Sequence, residues 1–312
     1  MLTVDTHCDT LTRIMELNQN LYKNNCHIDL ERLKARGSHA QFFAAFIDPA
    51  FCQAYAMKRA VQIIDKFYEQ VELYNDDIML CCNYNHMLQA LELKKVAGFL
   101  SIEGGDALQG DLAALRMFYR LGVRSICLTW NHRNEIADGV ADGSSGGGLT
   151  PFGREVIREM NRLGMLIDLS HLSEKGFWDV ISLTSSPLIV SHSNAKSICG
   201  HRRNLTDEQI MAVKANNGVI GINLYPDFLS DSGNATIKDV LRHIEHIVSL
   251  AGDGHIGLGA DFDGVESLPA GIKGVEDIEI ILNELLKANY PQTSVEKLAG
   301  GNFARVIKEV LV

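Results

Sequence analysis

The sequence predicts an α/β fold, a (β/α)8 or TIM barrel with extra C-terminal helices, built as one domain over residues 1–312. Two observations carry that expectation. Eight apolar segments of strand length alternate with amphipathic helical segments, and repeated strand–helix alternation belongs to parallel α/β architectures. The segments are also apolar continuously rather than at every second residue, which means burial on both faces, as in parallel strands. The rival arrangement is an open doubly wound sheet, but no G-x-G-x-x-G follows any apolar segment.

The first strand is expected over Leu2 to Thr6 and the second over Gln41 to Ile47. A long helical stretch follows from Gln53 to Tyr74, a shorter one from Met87 to Lys94, and a third strand from Val96 to Ile102. Helix Leu112 to Leu121 leads into the fourth strand, Val123 to Thr129. Asp138 to Leu149 is polar and glycine-dense. It lacks Lys-Ser/Thr after its glycines, so it is no phosphate-binding loop; the expectation is a mobile loop at the barrel top, with a lid as the functional alternative. Helix Phe152 to Leu163 precedes the fifth strand, Met165 to Leu169, and helix Ser173 to Ser182 precedes the sixth, Leu188 to Ser191. Thr206-x-x-Gln209 is a capping box that opens a helix to Asn216, ahead of the seventh strand, Val219 to Leu224. Helix Ile237 to Leu250 precedes the eighth, His255 to Ala260, and helices Glu276 to Ala288 and Val295 to Val310 finish the chain.

Composition narrows the function. The chain is 46% hydrophobic and 22% charged, with a net charge of -10 spread without long runs of one sign. That balance argues against nucleic acid or an anionic membrane as the main partner. Seven cysteines, an odd number in a long chain with no C-x-x-C pair, predict reduced and mostly buried thiols rather than a disulfide framework. There is no charged-then-apolar leader and no apolar run long enough to span a bilayer, and Val306 to Val312 is too short and mixed for a lipid-anchor signal. The expectation is a soluble cytoplasmic protein.

In a barrel of this kind, functional groups sit at the C-terminal ends of the strands. The first strand ends in His7-Cys8-Asp9, and strand alternation puts His7 and Asp9 on one face with Cys8 turned away. The third ends in Glu103-Gly104-Gly105, the fourth in Trp130-Asn131-His132, the fifth in Asp168-Leu169-Ser170-His171, the sixth in Ser191-His192-Ser193-Asn194 and the eighth in Asp261-Phe262-Asp263-Gly264. Singly each is a weak signal, since a histidine at a strand end is usually an ordinary polar residue. Together they offer three histidines and two carboxylates that one barrel mouth would gather, which points to a metal site. Five ligands exceed the three protein ligands and a water of a single catalytic zinc. They fit two metals, about 3.5–4 Å apart, that share one carboxylate. Glu103 is the expected bridge, with His7 and Asp9 on one ion and His171 and His192 on the other. Donors of this kind without thiolate suit zinc, with manganese or cobalt as alternatives. A water between two cations would lose its proton near neutral pH and serve as the nucleophile. Asp5 and Asp168 lie inside strands and are expected to be buried hydrogen-bond partners. His201, His243, His246 and His255 are expected to be structural or solvated.

At these residues the chain resembles the membrane dipeptidase (renal dipeptidase) family, metallopeptidases within the amidohydrolase superfamily. The matching motifs are Asp5-Thr6-His7-Cys8-Asp9, Ser101-Ile102-Glu103-Gly104-Gly105, Asp168-Leu169-Ser170-His171, Ser191-His192-Ser193, Arg202-Arg203-Asn204 and Gly259-Ala260-Asp261-Phe262-Asp263-Gly264. They run in family order over essentially the whole chain. The resemblance implies a two-zinc barrel that hydrolyses dipeptides, with a D-residue accepted at the C-terminal position, and a homodimer. The family's metal residues fall on His7, Asp9, Glu103, His171 and His192. Its proton-transferring aspartate falls on Asp261, and its arginine for the substrate carboxylate on Arg203. Asp263 shares the facing of Asp261, and Arg202 adjoins Arg203, so both stay open as alternatives.

One departure stands out. Mammalian members carry a substrate-facing histidine directly after the Leu-Thr of the fourth strand, whereas Leu128-Thr129 is followed here by Trp130. His132, two residues on, either takes the substrate contact or leaves Trp130 to reshape the pocket. The expected partner is a small dipeptide. A lactone or phosphoester hydrolase of the same superfamily is the alternative, but many such sites bridge their metals with a carboxylated lysine, and no lysine follows an apolar strand here. A non-catalytic peptide-binding barrel is the other, and the complete ligand set argues against it.

Overall fold

The computed structural model describes residues 1–311, so Val312, the last residue of the expected domain, lies outside the described residues. The strands are β1 (Thr3–Asp5), β2 (His39–Phe46), β3 (Ile78–Leu80), β4 (Val96–Glu103), β5 (Val123–Cys127), β6 (Leu166–Asp168), β7 (Ile189–Ser193), β8 (Val219–Ile222) and β9 (Ile256–Leu258). All pair in parallel, in the order β2-β1-β9-β8-β7-β6-β5-β4, and pairing of β2 with β4 closes the ring. The result is the expected eight-stranded parallel barrel with helices between its strands.

β3 is an addition that the sequence pattern did not announce. It pairs with Val96–Gly98 at the start of β4, on the edge that β5 takes over from Leu100 onward. Only Ile78 of its three residues is buried, so it carries neither an apolar run nor an alternation.

Two apolar clusters hold the barrel. The larger lies between strands and surrounding helices. The smaller gathers Val4, Phe42, Phe99, Leu166, Ile189 and Val219 with Phe303, Val306, Ile307 and Val310 of the last helix. That helix therefore stoppers the N-terminal end of the barrel, leaving the C-terminal end free for chemistry. Phe303 lies so close to β9 that a Cβ on Gly257 would come within 2.4 Å of its ring.

Several helices open on the caps their sequences advertise. Thr206 and Gln209 form the expected capping box, and Ser173, Thr150 and Asn83 each accept a backbone N–H three residues on. The expected final helix is interrupted. It runs as Gln292–Glu296, a π-helical turn over Lys297–Gly301, and Asn302–Val310. At that turn a Cβ on Gly300 would meet Leu2 O and Val4 N at 2.9 Å, so glycine lets the backbone press against β1. Helices Thr10–Glu16, Leu30–Ala35 and Pro226–Leu229 are short and were not anticipated.

β1, β2, β5, β6, β8 and β9 stop one or two residues earlier than expected, and β4 and β7 run one or two residues further. Side chains replace the missing rungs. Asp5 Oδ1 accepts the backbone N–H of His7 (3.0 Å) and of Ala260 (3.3 Å). Asp168 Oδ1 does the same for Ser170 (3.0 Å) and Ser191 (2.9 Å). Both aspartates are thus the buried hydrogen-bond partners expected of them. The strand ends they tie together carry His7, His171, His192 and Asp261.

The glycine-dense segment is fastened at the barrel top. It contains a 3-10 turn, Val140–Ser145. Val140 N donates to His171 O and Ala141 N to Asn131 O, both at 2.8 Å. Gly139 sits where a Cβ would come within 2.3 Å of the Asn131 carbonyl.

Candidate metal centre

The five expected ligands reach the mouth from four strand ends. His7 and Asp9 follow β1, where Cys8 bridges to Phe262 and Asp9 N donates to Phe262 O at 2.9 Å. Glu103 ends β4, His171 follows β6, His192 lies in β7, and Asp261 follows β9. All six side chains are buried.

Glu103 lies between two donor groups. Its Oε2 is 3.4 Å from His7 Nε2, which is itself 3.3 Å from Asp9 Oδ2. Its Oε1 is 2.8 Å from His171 Nε2 and 3.6 Å from His192 Nε2. His7, Asp9 and Glu103 form one group with ligand atoms within 4.8 Å of one another, and Glu103, His171 and His192 form a second. His7, His192 and Asp261 form a third, with Asp261 Oδ1 3.7 Å from His7 Nε2.

The hydrogen-bonding of the rings tests whether these residues suit a cation. His171 Nδ1 donates to Asn131 Oδ1 at 2.8 Å. Ser191 spends its hydroxyl proton on Asp168 Oδ2, so its oxygen accepts from His192 Nδ1 at 2.8 Å. With both Nδ1 atoms protonated, both neutral rings turn an Nε2 lone pair inward, and these two atoms stand 2.8 Å apart. Two acceptors at that distance repel unless a cation lies beside them. Asp9 Oδ1 is buried with no hydrogen-bond partner, a second acceptor left open. Residues with these donors fit divalent ions.

The electrostatics agree. Burial, then Arg203, holds His171 down at about 4, and burial with the neighbouring imidazoles holds His192 well below its usual range. Burial and the nearby Glu103 push Asp9 up to about 7, and burial raises Asp261. Burial also opposes ionisation of Glu103, but His7 and His171 outweigh it and keep that carboxylate ionised. Burial opposes a charge on His7, but Glu103 and Asp9 outweigh it and hold that imidazole well above its usual range, so one ring balances the three buried carboxylates only in part; divalent cations would supply the rest.

The backbone is shaped to fit. His171, Asp261 and Asp263 adopt left-handed φ values of 65°, 62° and 66°, uncommon for residues other than glycine. Gly264 lies against the carboxylates, where a Cβ would come within 2.3 Å of Asp9 Oδ2 and 2.4 Å of Asp261 Oδ1.

A cavity of about 400 Å³ opens on the cluster, lined in part by Asp9, Glu103, Trp130, His171, Arg203 and Asp261. Arg203 is buried, its Nη2 donates to His192 O at 3.3 Å, its Nε has no partner, and its guanidinium lies 5.5 Å from the Phe228 ring. Arg202 is exposed and outside this lining. Asp263 lines the cavity, but its oxygens are taken by Thr10 Oγ1 (2.6 Å) and His27 N (2.7 Å). Trp130 faces the cavity, 6.1 Å from the His171 ring, whereas His132 lines an adjoining hollow on the far side of Trp130.

Three residues at the site were not singled out from the sequence. Asn131 sits inside a strand end already noted for its neighbours. Asn223 is the polar residue in the otherwise apolar stretch Val219 to Leu224 expected as a strand, and that was the signal available; in the structure it directly follows β8. Ser191 stood in the His192 motif without a role.

The membrane dipeptidase (peptidase family M19) family model matches residues 1–311. An uncharacterized dipeptidase of Schizosaccharomyces pombe is 35% identical over 339 residues, spanning 98% of this chain and 80% of that protein. The crystal structure of the dipeptidase AC, a metallopeptidase of family M19, superposes with a TM-score of 0.92 at 29% identity, covering 100% of this chain and 99% of that one. A metallopeptidase from Rhodobacter sphaeroides, liganded with a phosphinate mimic of the dipeptide L-Ala-D-Ala, gives a TM-score of 0.92 at 28% identity, with 99% of each chain covered.

Proposed function

The chain belongs to the membrane dipeptidase family, peptidase family M19, as a dipeptidase of the metallopeptidase class, and on that premise we propose how its site works. Two zinc ions per chain, with manganese or cobalt as alternatives, would be held by His7 and Asp9 on one side and His171 and His192 on the other, with Glu103 shared between the two groups. The observation that carries this reading is the single Glu103 carboxylate, which turns opposite oxygens to two separate donor groups. Ions bound there would supply Lewis-acid polarisation of the scissile carbonyl and a water that ionises near neutral pH.

The protein's own groups do the rest. Asp261 takes the proton of the attacking water on Oδ1, the oxygen turned to His7, and gives it to the leaving amine nitrogen as the C–N bond breaks. Arg203 receives the free C-terminal carboxylate of the substrate. A buried guanidinium that among the described residues forms no direct ion pair loses little and gains a charge-assisted, planar contact. Its position beside the cluster favours dipeptides, because in a longer peptide the carboxylate falls too far from the bond to be cut. Phe228 and Tyr225 wall the Arg203 side of the cavity, and Phe46 and Trp130 pair across another at 5.6 Å. We include acceptance of a D-residue at the C-terminal position, which the ligand of the Rhodobacter sphaeroides neighbour supports.

The proposal extends to the whole protein as one hydrolase domain and a homodimer, the latter from the family resemblance alone. A cytoplasmic site of action is supported by seven free cysteines. Among the described residues no helix is long and apolar enough to cross a membrane. Direct contact of substrate with His132 is retained only for a side chain long enough to pass Trp130 into the adjoining hollow.

The test is turnover of a stereochemically defined dipeptide panel with zinc supplied, including C-terminal amides. Hydrolysis of Xaa-D-Xaa dipeptides, loss of it in the amides, and its abolition by exhaustive metal removal are expected. Full activity without metal would sink the reading.

A further inference from the structure

Asn223 directly follows β8 and is fully buried. Its backbone is clamped by Asn194, which directly follows β7. Asn194 Oδ1 accepts Asn223 N at 3.1 Å, and Asn194 Nδ2 donates to Asn223 O at 3.0 Å. One buried amide thus adds a rung beyond the last β7–β8 backbone pairing, Ser193 with Ile222. The side chain of Asn223 is fixed as well. Its Oδ1 accepts Tyr225 N at 2.6 Å, so the amide nitrogen must face the other way, and it donates to Asp261 Oδ2 at 2.8 Å.

We propose that Asn223 is a positioning residue for the hydrolysis, acting through Asp261. Its N–H occupies Asp261 Oδ2 and leaves Oδ1 as the one oxygen turned to the ligand cluster. Asp261 needs such a fix. It sits at a left-handed φ of 62° on a turn, and no strand pairing sets its side chain. A neutral amide orients the carboxylate without the charge of a lysine or arginine, which would weaken Asp261 as a base. Gly264 packs on Oδ1 from another side, so the carboxylate is held between a hydrogen bond and a steric wall. An oxygen displaced by about 1 Å costs rates on the order of 10²-fold. The inference rests on the proton-transfer role proposed for Asp261.

The experiment is a double-mutant cycle with Asn223→Ala and Asp261→Ala in the zinc-loaded enzyme, with Asn223→Ser as a variant that keeps a donor. Steady-state kinetics on an Xaa-D-Xaa dipeptide, bound metal per chain and thermal midpoint are measured for each. The expected result is a fall in kcat of about 10²-fold for Asn223→Ala with KM within about twofold and metal content retained. Asn223→Ser is expected to keep more of kcat, and Asn223→Ala to change nothing further once Asp261 is gone. If Asp261→Ala is inactive while Asn223→Ala retains kcat, the positioning role is overturned and the role of Asp261 stands. If Asp261→Ala itself retains kcat, both fail. Loss of kcat in proportion to lost metal or lost fold in Asn223→Ala and Asn223→Ser alike would make the residue structural and also overturn the inference.

Discussion

The Nε2 atoms of His171 and His192 stand 2.8 Å apart, and each ring has its only proton committed to a hydrogen bond on the opposite side. Two lone pairs this close repel, and a cation beside them would relieve the repulsion. Metal removal is therefore expected to destabilise the fold as well as stop turnover. An ion at 100 times its dissociation constant adds about 2.7 kcal/mol to stability. Calorimetry before and after chelation, and again after zinc is returned, checks this. An unchanged melting temperature would count against it.

Glu103 links two donor groups that otherwise draw on different residues. His7→Ala removes a ligand from one group alone, so metal titration is expected to show one ion weakened about 10-fold or more while the other is nearly kept. Glu103→Gln is expected to weaken both. Equal loss of both ions in His7→Ala would mean that the groups are not separable.

Arg203 is buried, and among the described residues no carboxylate pairs with it directly; Asp261 and Glu103 act on it from longer range. Arg203→Met is expected to lower kcat/KM for dipeptides about 10–100-fold, equivalent to about 1.5–3 kcal/mol for hydrogen bonds to a charged group. It should also erase the preference for a free C-terminal carboxylate over an amide. A variant that still rejects amides would refute the contact.

Gly264 abuts both Asp9 and Asp261. Gly264→Ala is expected to displace the two carboxylates and cut kcat at least about 10-fold, with a small effect on stability because the change is confined to the mouth. Kinetics alongside thermal melting separate the two effects, and full activity would show that the carboxylates can yield.

Stability is expected to fall on mild acidification for reasons away from the site. Burial holds His39 and His243 at about 4, and both are neutral in hydrogen-bonded pockets. The unfolded chain takes up these protons below about 6.5 and the folded chain only near 4. The folded state therefore loses stability as pH drops through that window and keeps it above. Denaturant midpoints at pH 7 and pH 5 measure the slope. His39→Gln should flatten it, and an unaltered slope in that variant would dismiss the contribution of His39.

The strand–helix alternation and the strand-end histidines were readable because continuous apolar runs and ligand types are distinctive. Other features depend on partners far away in sequence. β3 is three residues of mixed burial that gain strand geometry only from β4. The π-helical turn exists because Gly300 meets β1, nearly the length of the chain away. Asn131 and Asn223 were passed over because an amide near a strand end is ambiguous until its neighbours are known. Asp5 and Asp168 were readable as buried, but their replacement of backbone rungs was not, and it accounts for the early ends of β1, β6 and β9.

The strand carrying His7 and Asp9 pairs with β2 on one side and β9 on the other. Thr6 is tied to Leu258 by its backbone N–H and its hydroxyl. During synthesis the first two ligand residues leave the ribosome long before the strand that will seat them. The barrel cannot close, and Asp261 cannot join His7, until the last quarter of the chain has emerged. Capture of an ion by the full set of proposed ligands is therefore expected only after β9 has formed, well after the first ligands emerge.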